Sequence, residues 1–301
     1  MPNSFVIPSN VIIESVFGCN ANCRMCPIDK PTKRRKGVMP FDLYRHIIDE
    51  MRPHKDEISQ LDLFGVGEPL LDKTLPGKIN YAKQRGFGGL GIATNADLLD
   101  DQKQDLLLGT GIDAVIFSIE STKKEIHERI RRNTNFDRVV HNANELIRKR
   151  NQNNLKTKFV FRFINQKLNA GQWQEYRNYW GARIDKDKGD EVNFYTAHDW
   201  VGEIKNDMVK VRTENVEARK CYQIFERMFI LYDGTMSMCS CDLHHPYIPV
   251  GNVNEDNTID VYNNDKMKEI RKIHLSGNKN TIEICKKCNM LYCRSEKKVF
   301  S

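Results

Sequence analysis

The chain has 301 residues, 40% of them hydrophobic and 29% charged, with a formal net charge of +7. That composition suits an ordinary globular protein and excludes a low-complexity or fibrous one. No run of about 18 apolar residues exists to span a bilayer, and the opening MPNSFVIPSNVIIE lacks a basic-then-apolar leader, so the expectation is a cytoplasmic protein with no membrane association.

Taken in order, the chain alternates short apolar runs with helical patterns. Strands are expected at Val11–Phe17, Leu61–Val66, Leu90–Thr94, Ala114–Ile119, Lys158–Ile164 and Val192–Tyr195, each rich in β-branched or aromatic residues. Between them, Phe41, Tyr44, Ile47, Ile48 and Met51 recur at helical spacing, and Leu71–Arg85, Leu98–Leu108, Phe136–Arg150 and Gly171–Trp180 read similarly. Strand–helix repetition predicts an α/β fold with a parallel sheet, and six units fit a partial (β/α)6 barrel. After about residue 205 the pattern changes. Met228–Leu231 and Thr235–Met238 flank Asp233-Gly234, a two-residue hairpin signal, and a helix is expected over Asp265–His274. The expected division is a barrel over 1–205 and a small α+β appendage over 206–301.

Lys and Arg cluster at 33–36, at Arg129, Arg131 and Arg132, and at 148–150. Solvated helix faces and a loop explain them, as would a phosphorylated or nucleic-acid substrate. No aromatic interleaving of the single-strand-binding kind accompanies them, so nucleic acid is not the expected partner.

Nine cysteines carry the chemistry. An odd number without a leader argues against a disulfide framework. Cys19, Cys23 and Cys26 stand together, and the other six fall at Cys221, Cys239, Cys241, Cys285, Cys288 and Cys293. Three thiolates directly after the first strand can hold three irons of one cubane and leave the fourth open. Zinc is the alternative, although a structural zinc usually takes four protein ligands.

The CxxxCxxC run followed by Pro27 resembles the radical S-adenosylmethionine (SAM) superfamily signature. The resemblance implies that SAM chelates the open iron and is reductively cleaved to a 5′-deoxyadenosyl radical, which abstracts a substrate hydrogen. It implies an external electron donor such as flavodoxin or ferredoxin. Gly67-Glu68-Pro69 resembles the family's GEP element, which pairs with the SAM ammonium, and Thr94-Asn95-Ala96 resembles its TNG. Ser118-Ile119-Glu120-Ser121 resembles the SIDG of members bearing SPASM or twitch appendages. Thirteen residues past Ser118, Arg131 stands where that subgroup places an arginine on the SAM carboxylate. His198-Asp199-Trp200-Val201-Gly202 resembles the subgroup's NWxG, and His198 and Asp199 are candidate catalytic groups, with a structural role the alternative for each.

Cys221, Gly234, Cys239, Val250-Gly251-Asn252-Val253 and Cys285-Lys-Lys-Cys288 resemble a twitch domain. This implies an auxiliary [4Fe–4S] cluster on Cys221, Cys239, Cys285 and Cys288, with Cys241 and Cys293 as ordinary thiols or alternative ligands; four thiolates would also suit zinc. A fully ligated cluster has no open iron, so its expected role is to accept or relay an electron. That favours net oxidation of a small molecule such as a sugar or alcohol. Family members include 2-deoxy-scyllo-inosamine dehydrogenase, a sugar-alcohol oxidase, and enzymes that mature peptides. The alternatives are a redox-neutral dehydration, epimerisation or coupling, peptide maturation, and a zinc-stabilised binding protein.

Overall fold

Short apolar runs become six parallel strands in a computed structural model that describes residues 5–204 and 221–288. They are β1 (Asn10–Ile13), β2 (Gln60–Asp62), β3 (Leu90–Thr94), β4 (Ala114–Ser118), β5 (Lys158–Asn165) and β6 (Glu191–Thr196), paired in that order. The crossovers carry α1 (Phe41–Met51), α2 (Leu75–Gln84), α3 (Asp101–Gly109), α4 (Lys124–Ile130), α5 (Phe136–Gln152) and α6 (Trp173–Gly181). Asp100 and Asn135 cap α3 and α5 by accepting from Lys103 N and Arg138 N. On α1, Tyr44, Ile47, Ile48 and Met51 are buried, the face that the spacing predicts. The result is the TIM-like partial barrel expected for the chain, with a small α+β appendage.

Alternation along the strands separates two interiors. Val11, Ile13, Leu61, Leu90, Ile92, Val115, Phe117, Phe159 and Phe161 face the helices as the main apolar core. The intervening residues, among them Asp62, Ile116, Ser118 and Arg162, face the barrel lumen.

The appendage continues the barrel sheet. β7 (Arg227–Ile230) lies parallel to β1, with Asn10 opposite Arg227, and β8 (Thr235–Ser237) and β9 (Pro249–Asn252) add antiparallel strands. The short α7 (Gln223–Glu226), α8 (Thr258–Tyr262), α9 (Asp265–Leu275) and α10 (Glu283–Lys287) complete it. Thr258 N and Oγ1 donate to Glu50 Oε2 on α1 at 2.8 and 2.6 Å, so the two parts are bonded together. The expected boundary between 205 and 206 lies outside the described residues. Among the described residues, no helix is long and apolar enough to cross a membrane.

Five expectations change. The strand expected over Val11–Phe17 breaks at Glu14-Ser15, and Val16–Phe17 pairs instead with Gly37–Val38. The cause is Glu14, 1% exposed, whose carboxylate turns inward to a salt bridge with Arg34. The second strand ends at Asp62 rather than Val66, where the chain turns toward the Gly67 loop. α4 is not among the expected helices, because charge obscures its apolar face. The Asp233-Gly234 hairpin has three loop residues, not two: Leu231 N donates to Thr235 O, and Gly234 takes φ +87°. The basic runs also are not merely solvated. Arg34, Arg131 and Arg150 from each run are buried against Glu14, Glu120 and Asp190.

Candidate active site

The cysteine loop is fixed at both ends. Asn22–Cys23 forms a two-residue ladder with Arg131–Arg132, and Arg24 N donates to Ile130 O at 2.9 Å. Trp200 Nε1 donates to Met25 O at 2.9 Å. These bonds place Cys19, Cys23 and Cys26 on the wall of one cavity of about 380 Å³ at the C-terminal ends of the strands, where barrel enzymes carry their chemistry. Burial pushes the Cys19 thiol up to about 12 and also raises Cys23 and Cys26. Three desolvated thiols want a cationic partner before they ionise. Among the described residues no three His, Cys, Asp or Glu side chains form a single-ion site. The donor set, three soft sulfurs within eight residues on a cavity wall, fits the three protein corners of an iron–sulfur cubane.

Gly67 and Glu68 connect this loop to the next two strands. A Cβ on Gly67 would lie 2.2 Å from Val16 O and 2.6 Å from Gly18 O, so only glycine passes. Glu68 N donates to Gly18 O at 2.8 Å. The Glu68 carboxylate, raised by burial against its hydrogen bonds, accepts from Thr94 Oγ1 (2.7 Å), Leu70 N (3.2 Å) and Asn95 N (2.8 Å). A carboxylate has about four acceptor sites, so one remains on Oε2. Asn95 Nδ2 donates to Asn20 Oδ1 at 3.0 Å, closing a ring of polar bonds around the cysteine loop. Gly67, Glu68, Thr94 and Asn95 line the cavity; Pro69 does not.

Ala96, where a glycine is usual, adopts φ +62° while fully buried. That conformation costs an L-residue about 1–2 kcal/mol. Ala96→Gly trades this strain for one lost buried methyl, worth about 0.8 kcal/mol. Urea unfolding is expected to show a change within about 1 kcal/mol for Ala96→Gly, and a loss of roughly 2 kcal/mol or more for the β-branched Ala96→Val.

Ser118 and Arg131 line the cavity, whereas Glu120 lies behind it. Arg131 makes a bidentate pair with Glu120 through Nε and Nη2, the latter at 2.8 Å. Its Nη1 lies 3.4 Å from Cys23 Sγ. The Arg131 guanidinium is thus oriented by one carboxylate and presents its remaining edge at the cysteine loop.

His198 and Asp199 separate. His198 lines the cavity; Asp199 does not, and its main-chain oxygen closes the turn by accepting from Gly202 N and Ile204 N. Trp200, Val201 and Gly202 take φ values of 51°, 58° and 88° in succession, a strained left-handed turn. Burial holds His198 down at about 4, so the ring is neutral. Its Nδ1 accepts from Trp200 N at 3.3 Å, which leaves Nε2 protonated and a donor.

The lumen holds polar residues that the motifs do not reveal: Asp62 on β2, Arg162 on β5, Tyr195 on β6 and Arg227 on β7. Asp62 Oδ2 accepts from Gln60 (2.8 Å) and Asn10 (3.4 Å), while Oδ1 has no hydrogen bond and lies over Gly91. Burial raises Asp62 to about 6. Arg162 lies 5.2 Å from the Tyr195 ring, and its Nε has no hydrogen-bond partner. The signal was a single polar residue inside an apolar strand, as in Leu61-Asp62-Leu63 and Phe161-Arg162-Phe163.

The second cysteine group gathers between α7, β8, α9 and α10. Cys221, Cys239, Cys285 and Cys288 line one pocket, as expected, and Cys241 joins them. Cys241, expected as an ordinary thiol or an alternative ligand, thus stands in the same pocket as the four. The strand ends at Ser237, but a 3-10 turn over Ser240–Asp242 swings Cys241 inward, where it is 8% exposed. His274 also lines the pocket, its Nε2 3.4 Å from Cys285 Sγ, and the set of thiols fits an iron–sulfur cage here too. Cys293 lies outside the described residues.

Residues 13–161 match the radical SAM superfamily and residues 221–289 match the SPASM iron–sulfur cluster-binding domain. The chain is 32% identical over 108 residues to the tungsten-containing aldehyde ferredoxin oxidoreductase cofactor-modifying protein of Pyrococcus furiosus, a stretch covering 36% of this chain and 30% of that relative. Among solved structures it resembles BtrN in complex with AdoMet and 2-DOIA, at a TM-score of 0.64, 18% identity and 94% coverage of both chains. It also resembles Streptococcus suis SuiB bound to precursor peptide SuiA, at 0.68 and 13% identity over 89% of this chain and 67% of that one. With two sequence-level matches laid over a cavity that carries the three-cysteine loop and a pocket that gathers the later cysteines, the chain belongs to the radical SAM superfamily and bears a C-terminal SPASM domain, using SAM, a [4Fe–4S] cluster and auxiliary iron–sulfur.

Proposed function

We propose that this radical SAM enzyme is an oxidoreductase that dehydrogenates a small hydroxyl-bearing molecule, such as a sugar or alcohol. The observation that carries the reading is the polar lumen: Asp62, Arg162, Tyr195 and Arg227 stand where barrels usually pack branched apolar residues. Such a lining suits a substrate rich in hydroxyls. In this reading residues 1–205 serve the SAM chemistry and residues 206–301 the auxiliary cluster. Cys19, Cys23 and Cys26 would hold the SAM cluster, and Cys221, Cys239, Cys285 and Cys288 the auxiliary one. Gly67, Glu68, Thr94 and Asn95 would take the SAM ammonium, and Arg131 its carboxylate, with Glu120 and Ser118 in support. When bound, the clusters and SAM supply a 5′-deoxyadenosyl radical and an acceptor for one electron.

Alcohol oxidation then requires three departures from the substrate: a hydrogen atom from carbon, a proton from oxygen and one electron, leaving a carbonyl. Asp62 is the base for the proton, and neutral His198 donates from Nε2 to a substrate oxygen. Flavodoxin or ferredoxin is the reductant this reading calls for.

The test is turnover of reconstituted protein with SAM, reductant and a panel of polyols. One carbonyl product per 5′-deoxyadenosine is expected; a redox-neutral product, or coupling only to a peptide, would overturn the reading. The pH profile tests the base. Asp62 should be active as the carboxylate, so turnover should rise through about pH 6. Asp62→Asn should lose roughly 10²–10⁴-fold and that limb of the profile, while SAM cleavage without product persists.

A further inference from the structure

We propose that Cys241 and Cys288 are alternative ligands for one corner of the auxiliary cluster, so that the site holds, among the described residues, five thiols for four irons. The inference rests on the reading above that a [4Fe–4S] cluster occupies this pocket.

The distance between the two sulfurs carries it. Cys241 Sγ lies 3.6 Å from Cys288 Sγ, and Cys241 also bonds to the side chain of Cys239. Two thiolates on one tetrahedral metal at a bond length of about 2.3 Å sit about 3.8 Å from each other. Ligands on different corners of a cubane stand farther apart, because each points outward from its own iron. The pair therefore converges on a single corner. An iron of a cubane already carries three bridging sulfides and accepts one thiolate, so Cys241 and Cys288 exclude each other there. The remaining corners fall to the other three. Cys285 feels the charges of Cys239, Cys288 and Cys221, which groups it with those three sulfurs.

The local fold gives each member a different support. Cys241 is anchored through Asp242, which is fully buried and accepts from Tyr247 N at 2.7 Å and Ile248 N at 3.2 Å. The 3-10 turn is thereby held with Cys241 facing inward. Cys288 stands at the end of α10, where its own N–H donates to Cys285 O at 3.3 Å. One ligand belongs to the hairpin side of the pocket and the other to the terminal helix. A thiol from each reaches the same place.

The experiment uses the full chain with Cys19, Cys23 and Cys26 replaced by Ala, so that iron reports the auxiliary site alone. In that parent, roughly four irons and four sulfides per chain are expected after anaerobic reconstitution. Cys241→Ser and Cys288→Ser should each keep roughly four irons, with EPR signals of the reduced cluster that differ from each other. The double variant should lose the cluster, holding under about one iron per chain; Cys221→Ser, with no substitute thiol among the described residues, and Cys239→Ser, whose corner Cys241 does not fill in this exchange, should lose it as well. If Cys288→Ser alone falls to the level of the double variant, or if the double variant keeps its iron, the exchange is wrong. A parent that takes up zinc and no iron would overturn the cluster reading itself, and the exchange with it.

Discussion

Replacing Cys19, Cys23 and Cys26 together with Ala is expected to abolish 5′-deoxyadenosine formation while leaving roughly four irons per chain at the C-terminal site. The expected effect is total because these three are the cysteines on the wall of the main cavity, and among the described residues no other cysteine lines it. Folding should survive. The loop is tied by main-chain bonds from Arg24 N to Ile130 O and from Cys26 N to Cys23 O, which the substitutions leave in place. The two smaller side chains of the ladder, at Asn22 and Cys23, keep their backbone register with Arg132 and Arg131. Iron and sulfide content, with a 5′-deoxyadenosine assay under dithionite, checks both halves. Undiminished SAM cleavage in the triple variant would sink the assignment of these thiols.

What could be read in the sequence was what is local. The cysteine loop is eight residues long, and its spacing states its chemistry without the fold. The strands were legible because both faces of a parallel sheet are covered, so each appears as a continuous apolar run. That same continuity concealed the lumen. Asp62 and Arg162 are single polar residues in buried strands 100 positions apart, and only the curved arrangement of the sheet faces them toward one space. Buried ion pairs were hidden for a like reason. Arg34, Arg131 and Arg150 read as members of basic runs until Glu14, Glu120 and Asp190 are placed against them. Cys241 was set apart because it falls outside the twitch spacing; the strand does end before it, at Ser237, but the turn over Ser240–Asp242 has a different period and brings the thiol inward.

Arg131→Ala is expected to weaken SAM binding and also to destabilise the fold, and the second effect separates this residue from an ordinary ligand contact. Glu120 is fully buried, and its carboxylate is held by the Arg131 guanidinium in a two-point pair. Removing one partner of such a pair leaves an uncompensated buried charge, at a cost of about 3–5 kcal/mol. SAM binding loses a charge-assisted hydrogen bond as well, worth about 1.5–3 kcal/mol or roughly ten- to a hundredfold in affinity. The two losses can be divided. Adding Glu120→Gln to Arg131→Ala removes the stranded charge, so most of the stability should return while SAM affinity stays low. Glu68→Ala should behave differently again. Its carboxylate holds Thr94, Leu70 and Asn95 in place, so its loss should reduce SAM affinity through a displaced loop, and Glu120→Gln should not rescue it. Chemical unfolding and calorimetric SAM titration of the single and double variants decide the matter. Equal SAM affinity in wild type and in Arg131→Ala, Glu120→Gln would show that the guanidinium serves the fold alone.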